Sequence, residues 1–119
     1  MRLVHLQQLP HRGSSRQFVG ADHGGIGLSA FFYRGQPGRT VSPHWHPYVE
    51  VHVVQSGRGR WQVGGEVLEA GAGDVLVIEP GEVHGLTVLG DEVLQLLGLH
   101  LSPSFVQTEA APDAAEQPG

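Results

Sequence analysis

Apolar and polar residues alternate in short runs along this 119-residue chain, and glycine or proline separates one run from the next. The chain has 18 glycines and 8 prolines, and no window carries a sustained apolar stripe at helical spacing. Alternation with period two is typical of strands that bury one face, and frequent turns are typical of sandwiches and barrels. The pattern therefore predicts an all-β fold, with strands over residues 2–8, 16–21, 26–34, 40–45, 48–55, 60–64, 66–69, 74–78, 84–89 and 92–101.

Three segments carry the clearest local signals. Gly64 and Gly65 separate two alternating runs, and paired glycines accept the positive φ angles of a two-residue hairpin turn. The apolar run DVLVI, residues 74–78, lies between two turns and is typical of a buried strand. The apolar segment 92–102 is long enough for a helix, but its alternating leucines and Gly98 favour a strand.

The length and composition predict one folded domain with a tail. Hydrophobic residues make up 39% of the chain and charged residues 16%, which suits a small core rather than disorder. The end of the chain, QTEAAPDAAEQPG, is rich in proline and alanine and holds three acidic residues, so −3 of the formal net charge of −5 belongs there and −2 to the remainder. We therefore expect a single barrel over residues 1–106 and a disordered acidic tail over residues 107–119.

Several classes of chemistry and partner are excluded by what the chain lacks. It contains no lysine and no cysteine, which removes Schiff-base and thiol catalysis and leaves nitrogen and oxygen as the ligands for any metal. The seven arginines are scattered and form no basic stripe, so we expect no direct contact with nucleic acid. Residues 1–10 lack the apolar core of a signal peptide and no segment reaches membrane-spanning length, so we expect a cytoplasmic protein without membrane contact.

The candidate chemistry lies in the stretch SPHWHPYVEVH, residues 42–52. Its three histidines and one glutamate occupy even positions, so an extended chain turns them toward one side while valines occupy the other. A strand with a solvated polar face would show the same alternation. Pro43 and Pro47 restrict the imidazoles between them, and His84 follows a turn after a buried strand, where it could supply a further ligand. These observations favour a metal site at His44, His46, Glu50 and His84.

The spacing of these residues resembles that of the cupin superfamily. Gly38, His44, His46, Glu50 and Gly57 match every defined position of the first cupin motif. Gly73, Gly81 and His84 match the second motif, in which proline is expected at Glu79 and asparagine at Val88. The resemblance implies a double-stranded β-helix, also called a jelly-roll or cupin barrel. It also implies one divalent transition metal ion, zinc, nickel, manganese, iron or copper, on the four residues nominated above. The alternative is a degenerate barrel whose histidines hydrogen-bond each other or water.

The remaining polar residues near the site receive separate interpretations. By alternation, His52 shares the side of Glu50, which favours contact with a ligand residue or with the substrate and leaves open that it replaces one of the ligands. Tyr48 is predicted to contribute a pocket-wall hydroxyl. Trp45 is expected to face away from the ion and to pack, and Glu79 is expected to be a solvated turn residue rather than a general base. His100 is read as a core or surface histidine, and the remaining three, His5, His11 and His23, as solvated.

A finer resemblance concerns residues 44–86 and 94–105, which are similar to the N-terminal sensing domain of AraC-type transcription regulators. In that family a paired helix-turn-helix domain follows, whereas residues 106–119 contain no such module. Three functions follow. The first is a stand-alone metal-binding cupin that binds a sugar or an organic acid; the second is a metal-dependent dioxygenase, isomerase or decarboxylase; the third is a structural or interaction protein. Binding is favoured because no dedicated acid or base is evident, and catalytic residues stay unassigned. The apolar run GLSAFFY, residues 27–33, predicts a homodimer.

Overall fold

A computed structural model of the chain describes residues 1–110, and they form two antiparallel sheets that enclose one core. The strands are β1 His11–Arg12, β2 Ser15–Phe18, β3 Ser29–Gly35, β4 Thr40–Trp45, β5 Glu50–Ser56, β6 Arg58–Val63, β7 Glu66–Gly71, β8 Val75–Ile78, β9 His84–Leu89, β10 Leu94–His100 and β11 Thr108–Glu109. One sheet has the order β1-β2-β3-β10-β5-β8 and the other β11-β4-β9-β6-β7. The predicted all-β jelly-roll class is confirmed.

The core lies between the two sheets and takes side chains from both. Val54, Leu76, Leu94 and Leu96 come from the first sheet, and Trp61, Ala70, Leu86 and Val88 come from the second. Trp61 and Leu94 are fully buried. Because burial of a large apolar side chain is worth about 1.5–3 kcal/mol, this two-sided cluster accounts for the pairing of the sheets.

The inward-facing side chains change from polar to apolar along three of the strands. On β5 the buried residues run from Glu50 through His52 to Val54, and on β9 from His84 through Leu86 to Val88. On β10, which is antiparallel to β5, they run in the opposite sense, from Leu94 to His100. The barrel therefore has a polar mouth at one end and an apolar floor at the other.

Most predicted strands agree with the structure within a few residues. The hairpin is confirmed: β6 and β7 pair Val63 with Glu66, and the intervening Gly64 and Gly65 have φ values of 55° and 88°. The segment 92–102 forms strand β10, which excludes the helical alternative.

Two N-terminal predictions need correction. The strand predicted over residues 2–8 is wrong, because Leu6–Gln8 is a short 3₁₀ helix. The apolar side chains of that segment are exposed, 80% in the case of Leu3, so its alternation had no sheet to face. The strand predicted over residues 16–21 ends at Phe18, and a second 3₁₀ helix follows at Gly20–His23. Neither helix, nor any other in residues 1–110, is long and apolar enough to cross a membrane.

The sheet extends past the predicted domain boundary at residue 106. Thr108 and Glu109 of β11 pair with Trp45 and His44 of β4, and this pairing places residues 107–110 against the barrel. The rest of the predicted tail, 111–119, lies outside the described residues.

Candidate metal centre

Four of the sequence-predicted residues come together at the mouth of the barrel. Their ligand atoms all lie within 4.8 Å of one another, and all four side chains are buried. They come from separate elements. His44 on β4 lies opposite His84 on β9, because these two strands pair, and Glu50 is the first residue of β5. His46 lies in the connection between β4 and β5. The group is His44, His46, Glu50 and His84.

Backbone carbonyls fix the tautomer of all three histidines. The Nδ1 atom of His44 lies 2.7 Å from the Ser42 carbonyl oxygen, and that of His84 lies 2.9 Å from the Glu82 carbonyl oxygen. The Nδ1 atom of His46 lies 2.7 Å from the carbonyl oxygen of Val106. A carbonyl oxygen only accepts, so each Nδ1 carries the proton and donates it. The three Nε2 atoms therefore present lone pairs.

The lone pairs of His46 and His84 face a carboxylate oxygen, which is also an acceptor, instead of a hydrogen-bond donor. The Nε2 atoms of His46 and His84 lie 3.2 Å and 3.1 Å from the same oxygen, Oε1 of Glu50. Nε2 of His46 has no hydrogen-bond partner among residues 1–110, since the angle as well as the proton is wrong for a bond to Oε1. Buried acceptors that face one another without a donor are costly, and a cation among them removes the cost. Three neutral imidazoles and one carboxylate form a ligand set that a divalent transition metal accepts, so the residues fit the implied ion.

The ionisation states agree with this arrangement. Burial, with the neighbouring His84, lowers the pKa of His44 to about 4, so its imidazole is neutral near pH 7. Burial opposes ionisation of Glu50, yet the adjacent His52 and the hydrogen bond from His100 hold its pKa well below the ordinary value. His44 thus offers a neutral imidazole and Glu50 a charged carboxylate, the forms in which these side chains bind metals.

The other predicted residues occupy distinct places. His52 lies outside the four-residue group, and its Nε2 is 2.8 Å from Oε2 of Glu50. Tyr48 precedes β5, and its hydroxyl lies 2.7 Å from Nδ1 of His100. Trp45 is half-buried on β4. Glu79 is exposed in a turn in which its backbone N–H donates to Glu82.

The remaining histidines divide into exposed and buried. His5 and His11 are exposed as expected, whereas His23 is half-buried and stacks on Phe18 with ring centroids 4.2 Å apart. Sequence reasoning missed the contact of His100, whose Nε2 lies 3.0 Å from Oε2 of Glu50. This contact arises from strand pairing between distant parts of the sequence, because β10 pairs with β5 so that His100 lies directly opposite Glu50.

A cavity of about 410 Å³ opens beside the four-residue group. Its wall includes two arginines, Arg12 and Arg39, and two aromatic rings, Phe31 and Phe105, whose centroids are 4.9 Å apart. The hydroxyl of Tyr33 is buried in this wall and has no hydrogen-bond partner within residues 1–110. The cavity therefore combines cationic, apolar and polar surfaces next to the ligand group.

The fold and this site together define a double-stranded β-helix with a buried His₃Glu group that could hold a metal ion. The family model described as Cupin domain matches residues 31–100. The chain belongs to the cupin family.

Known proteins similar to this chain include an enzyme and two solved structures. The gentisate 1,2-dioxygenase of a Haloferax species is 34% identical over 98 residues, which are 81% of this chain and 27% of the dioxygenase. An uncharacterised conserved protein with a double-stranded β-helix domain from Klebsiella pneumoniae has a TM-score of 0.73 at 21% identity, over 93% of this chain and 98% of that one. Oxalate decarboxylase from Bacillus subtilis has a TM-score of 0.79 at 20% identity, over 87% of this chain and 30% of that one. The chain thus spans less than a third of the dioxygenase and of the decarboxylase, and the two structures share its fold.

Proposed function

We propose that this protein is a metal-binding cupin that holds a divalent ion on His44, His46, Glu50 and His84 and binds a small organic acid beside it. The observation that carries the proposal is the convergence of the Nε2 lone pairs of His46 and His84 on Oε1 of the buried Glu50, with a ligand atom of His44 within 4.8 Å of the others. A bound divalent ion would supply positive charge and an open position for an oxygen ligand.

The charge of the cavity wall favours a carboxylic acid over a neutral sugar as the ligand. Among residues 1–110, Glu50 is the single acidic side chain that lines the cavity, and it belongs to the ligand group. With an ion present, two positive charges from the metal and two from Arg12 and Arg39 face one negative charge. Neither arginine forms a salt bridge within residues 1–110, so their guanidinium groups are available to a carboxylate. Phe31 and Phe105 suit an apolar body on the same molecule.

Metal content tests the first half of the proposal. We expect close to one divalent ion per chain in the purified protein and a loss of most of it in a His46→Ala, Glu50→Ala double variant, by elemental analysis. The matched control is His11→Ala, Glu79→Ala, which removes the same two residue types at exposed positions. Equal metal content in the wild type and the first double variant would refute the site.

Ligand titration tests the second half. Calorimetry on the zinc-loaded protein should detect binding of arylcarboxylates and dicarboxylates, and no binding of their amides or of neutral sugars. Arg39→Gln should weaken the affinity at least about 10-fold, because a charged hydrogen bond worth about 1.5–3 kcal/mol is lost. Arg58→Gln, at an exposed residue paired with Glu69, is the control. Equal affinity for acid and amide would contradict an anionic ligand.

A second candidate is a metal-dependent enzyme, a dioxygenase, isomerase or decarboxylase. It is favoured by the likeness to gentisate 1,2-dioxygenase and by the open metal position. Against it, His52, His100 and Tyr48 are engaged with one another or with Glu50, which leaves the buried hydroxyl of Tyr33 as a candidate acid or base in the part of the cavity wall that residues 1–110 form. Oxygen uptake or carbon dioxide release by the iron- or manganese-loaded protein, over a panel of catechols and dicarboxylates, would establish turnover.

We also propose that the protein acts in the cytoplasm as a ligand-binding module akin to the sensing domains of AraC-type regulators. The resemblance over residues 44–86 and 94–105 supports this, and a binding role agrees with the engaged side chains around Glu50. Direct nucleic-acid contact is not part of the proposal, since the arginines form no basic stripe.

A further inference from the structure

The two oxygens of Glu50 have different surroundings. Oε1 faces the Nε2 atoms of His46 and His84, both of which carry lone pairs. Oε2 lies 2.8 Å from Nε2 of His52 and 3.0 Å from Nε2 of His100. All five side chains are at least nine-tenths buried, so water is largely excluded from both oxygens.

The tautomer of His52 follows from Trp61. The indole Nε1–H of Trp61 donates to Nδ1 of His52 across 3.0 Å, and an indole nitrogen can only donate. Nδ1 of His52 is therefore the acceptor, and the proton of the neutral ring lies on Nε2. That proton points at Oε2 of Glu50, so His52 donates where the three ligand histidines accept.

The tautomer of His100 follows from Oε2 of Glu50, which can only accept, together with Tyr48, whose hydroxyl can donate. The backbone N–H of Val106 donates to the Tyr48 hydroxyl oxygen across 3.4 Å, so the hydroxyl proton is free to go to Nδ1 of His100, 2.7 Å away. Nε2 of His100 then carries the ring proton and donates it to Oε2 of Glu50.

We propose that His52 and His100 are positioning residues that hold Oε2 of Glu50 by two N–H donors, so that Oε1 alone is left to bind the metal. The inference rests on the proposed metal site. Trp61 and Tyr48 set the two tautomers, and Gly98 leaves the space that Oε2 needs, since a Cβ there would lie 3.2 Å from that oxygen. A carboxylate held in this way binds through one oxygen and keeps its orientation when the ligand changes.

Nitrogen NMR of the five imidazoles tests the inference without any substitution. In the zinc-loaded protein, long-range ¹H–¹⁵N correlations should show His44, His46 and His84 as Nδ1–H rings with zinc-shifted Nε2 atoms. The same spectra should show His52 and His100 as Nε2–H rings without a zinc shift. A Nδ1–H ring or a zinc-shifted nitrogen at either of the latter would overturn the inference. The metal-free spectra separate the two proposals: Nε2–H rings there would uphold the two donors on Oε2 of Glu50, and a failure of zinc to bind in the same sample would overturn the metal site alone.

Variants test what the two donors do. His52→Leu and His100→Leu should each weaken zinc affinity about 10–100-fold, whereas His52→Gln and His100→Gln, which keep an N–H donor, should recover most of it. In the zinc-loaded minus metal-free infrared spectrum, the carboxylate bands should show one-oxygen binding in the wild type and two-oxygen binding in the double leucine variant. Identical carboxylate bands in both proteins would contradict the positioning role.

The tautomer-setting residues have matched controls, because the chain contains only two tryptophans and two tyrosines. Trp61→Phe should release His52 into a mixture of tautomers, and Tyr48→Phe should do the same to His100. Trp45→Phe and Tyr33→Phe should leave both spectra unchanged. A mixture in the controls as well would show that general loosening of the barrel, rather than the lost donor, is responsible.

Discussion

At the scale of the residue, each histidine around Glu50 takes its role from the partner of its second nitrogen. Where a backbone carbonyl accepts from Nδ1, as for His44, the ring offers a lone pair to an ion. Where a side-chain donor occupies Nδ1, as for His52, the ring offers a proton to Glu50. The five histidines therefore divide into two sets, three whose Nε2 presents a lone pair and two whose Nε2 carries the proton.

The buried imidazoles predict how stability depends on pH in the metal-free protein. The pKa of His44 is lowered from about 6.5 to about 4. Between pH 6.5 and pH 4, His44 is therefore protonated in the unfolded chain and neutral in the folded protein. The free energy of unfolding should therefore fall as the pH drops from 6.5 toward 4, with His44 contributing on the order of 1–3 kcal/mol.

Urea unfolding in the presence of a chelator, at intervals of pH, measures this slope. His44→Gln should be flatter than the wild type over that range, and His11→Gln, at an exposed position, should follow the wild type. A His44→Gln protein with an unchanged slope would show that another group titrates.

The residues that could be predicted from the sequence are those with local signals. The spacing around His44, His46 and Glu50 is short, and the alternation of a strand converts it directly into a shared face. The role of His100 could not be predicted in this way, because it depends on a pairing between strands that are about 40 residues apart in the chain. The tautomers of His46 and His100 depend on Val106 and Tyr48, which lie 60 and 52 residues away in the chain, and that of His52 depends on Trp61, nine residues away.

At the scale of the element, strands β5, β9 and β10 each carry one polar end and one apolar end on their inner faces. Period-two alternation predicted most of these strands correctly, but the same alternation in residues 2–8 did not produce one, since no sheet lies there to receive it. Alternation in the sequence therefore predicts a strand correctly only where another strand can pair with it. Whether such a strand lies nearby depends on the tertiary structure.

Gly98 on β10 is the position at which an added side chain would press on Glu50. An added Cβ would lie 3.2 Å from Oε2 of Glu50 and 3.8 Å from His52, which is tighter than ordinary contact for the first of them. Gly98→Ala should therefore displace the carboxylate and weaken zinc affinity, with a loss of stability of about 1–3 kcal/mol from overpacking.

Zinc titration and thermal unfolding of Gly98→Ala check this expectation. Gly27→Ala is the matched control, because its Cβ would meet nothing within 4 Å. Wild-type zinc affinity in Gly98→Ala would show that the carboxylate has room to move.

At the scale of the whole molecule, most of the run predicted to form a dimer interface, residues 27–33, is half-buried. The run of residues 27–33 enters β3, which lies between β2 and β10, and Phe31 packs 4.4 Å from the ring of His100. More strongly exposed apolar side chains lie at the outer edges of both sheets, on β7 and β8. Val67 on β7 is 59% exposed, and Val75 and Val77 on β8 are 59% and 58% exposed.

We predict that the protein is a homodimer that pairs through these edges, since an edge strand with outward valines can pair with its own copy across a two-fold axis. Light scattering at micromolar concentration should give twice the monomer mass, and Val75→Lys, Val77→Lys should give the monomer mass. Leu3→Lys, at an exposed N-terminal position, should leave the dimer intact. A monomeric wild type would contradict the prediction.

The carbonyl of Val106 orients His46, so the complete site forms only after residue 106 has been synthesised. A ribosome delivers His44, His46, Glu50 and His84 well before it delivers residue 106, so the nascent chain holds every ligand while one of them still lacks its orientation. His100, which holds the far oxygen of Glu50, also emerges late. Full affinity for the ion should thus arise in a single late step of synthesis, and an ion captured earlier would be held weakly enough to be exchanged.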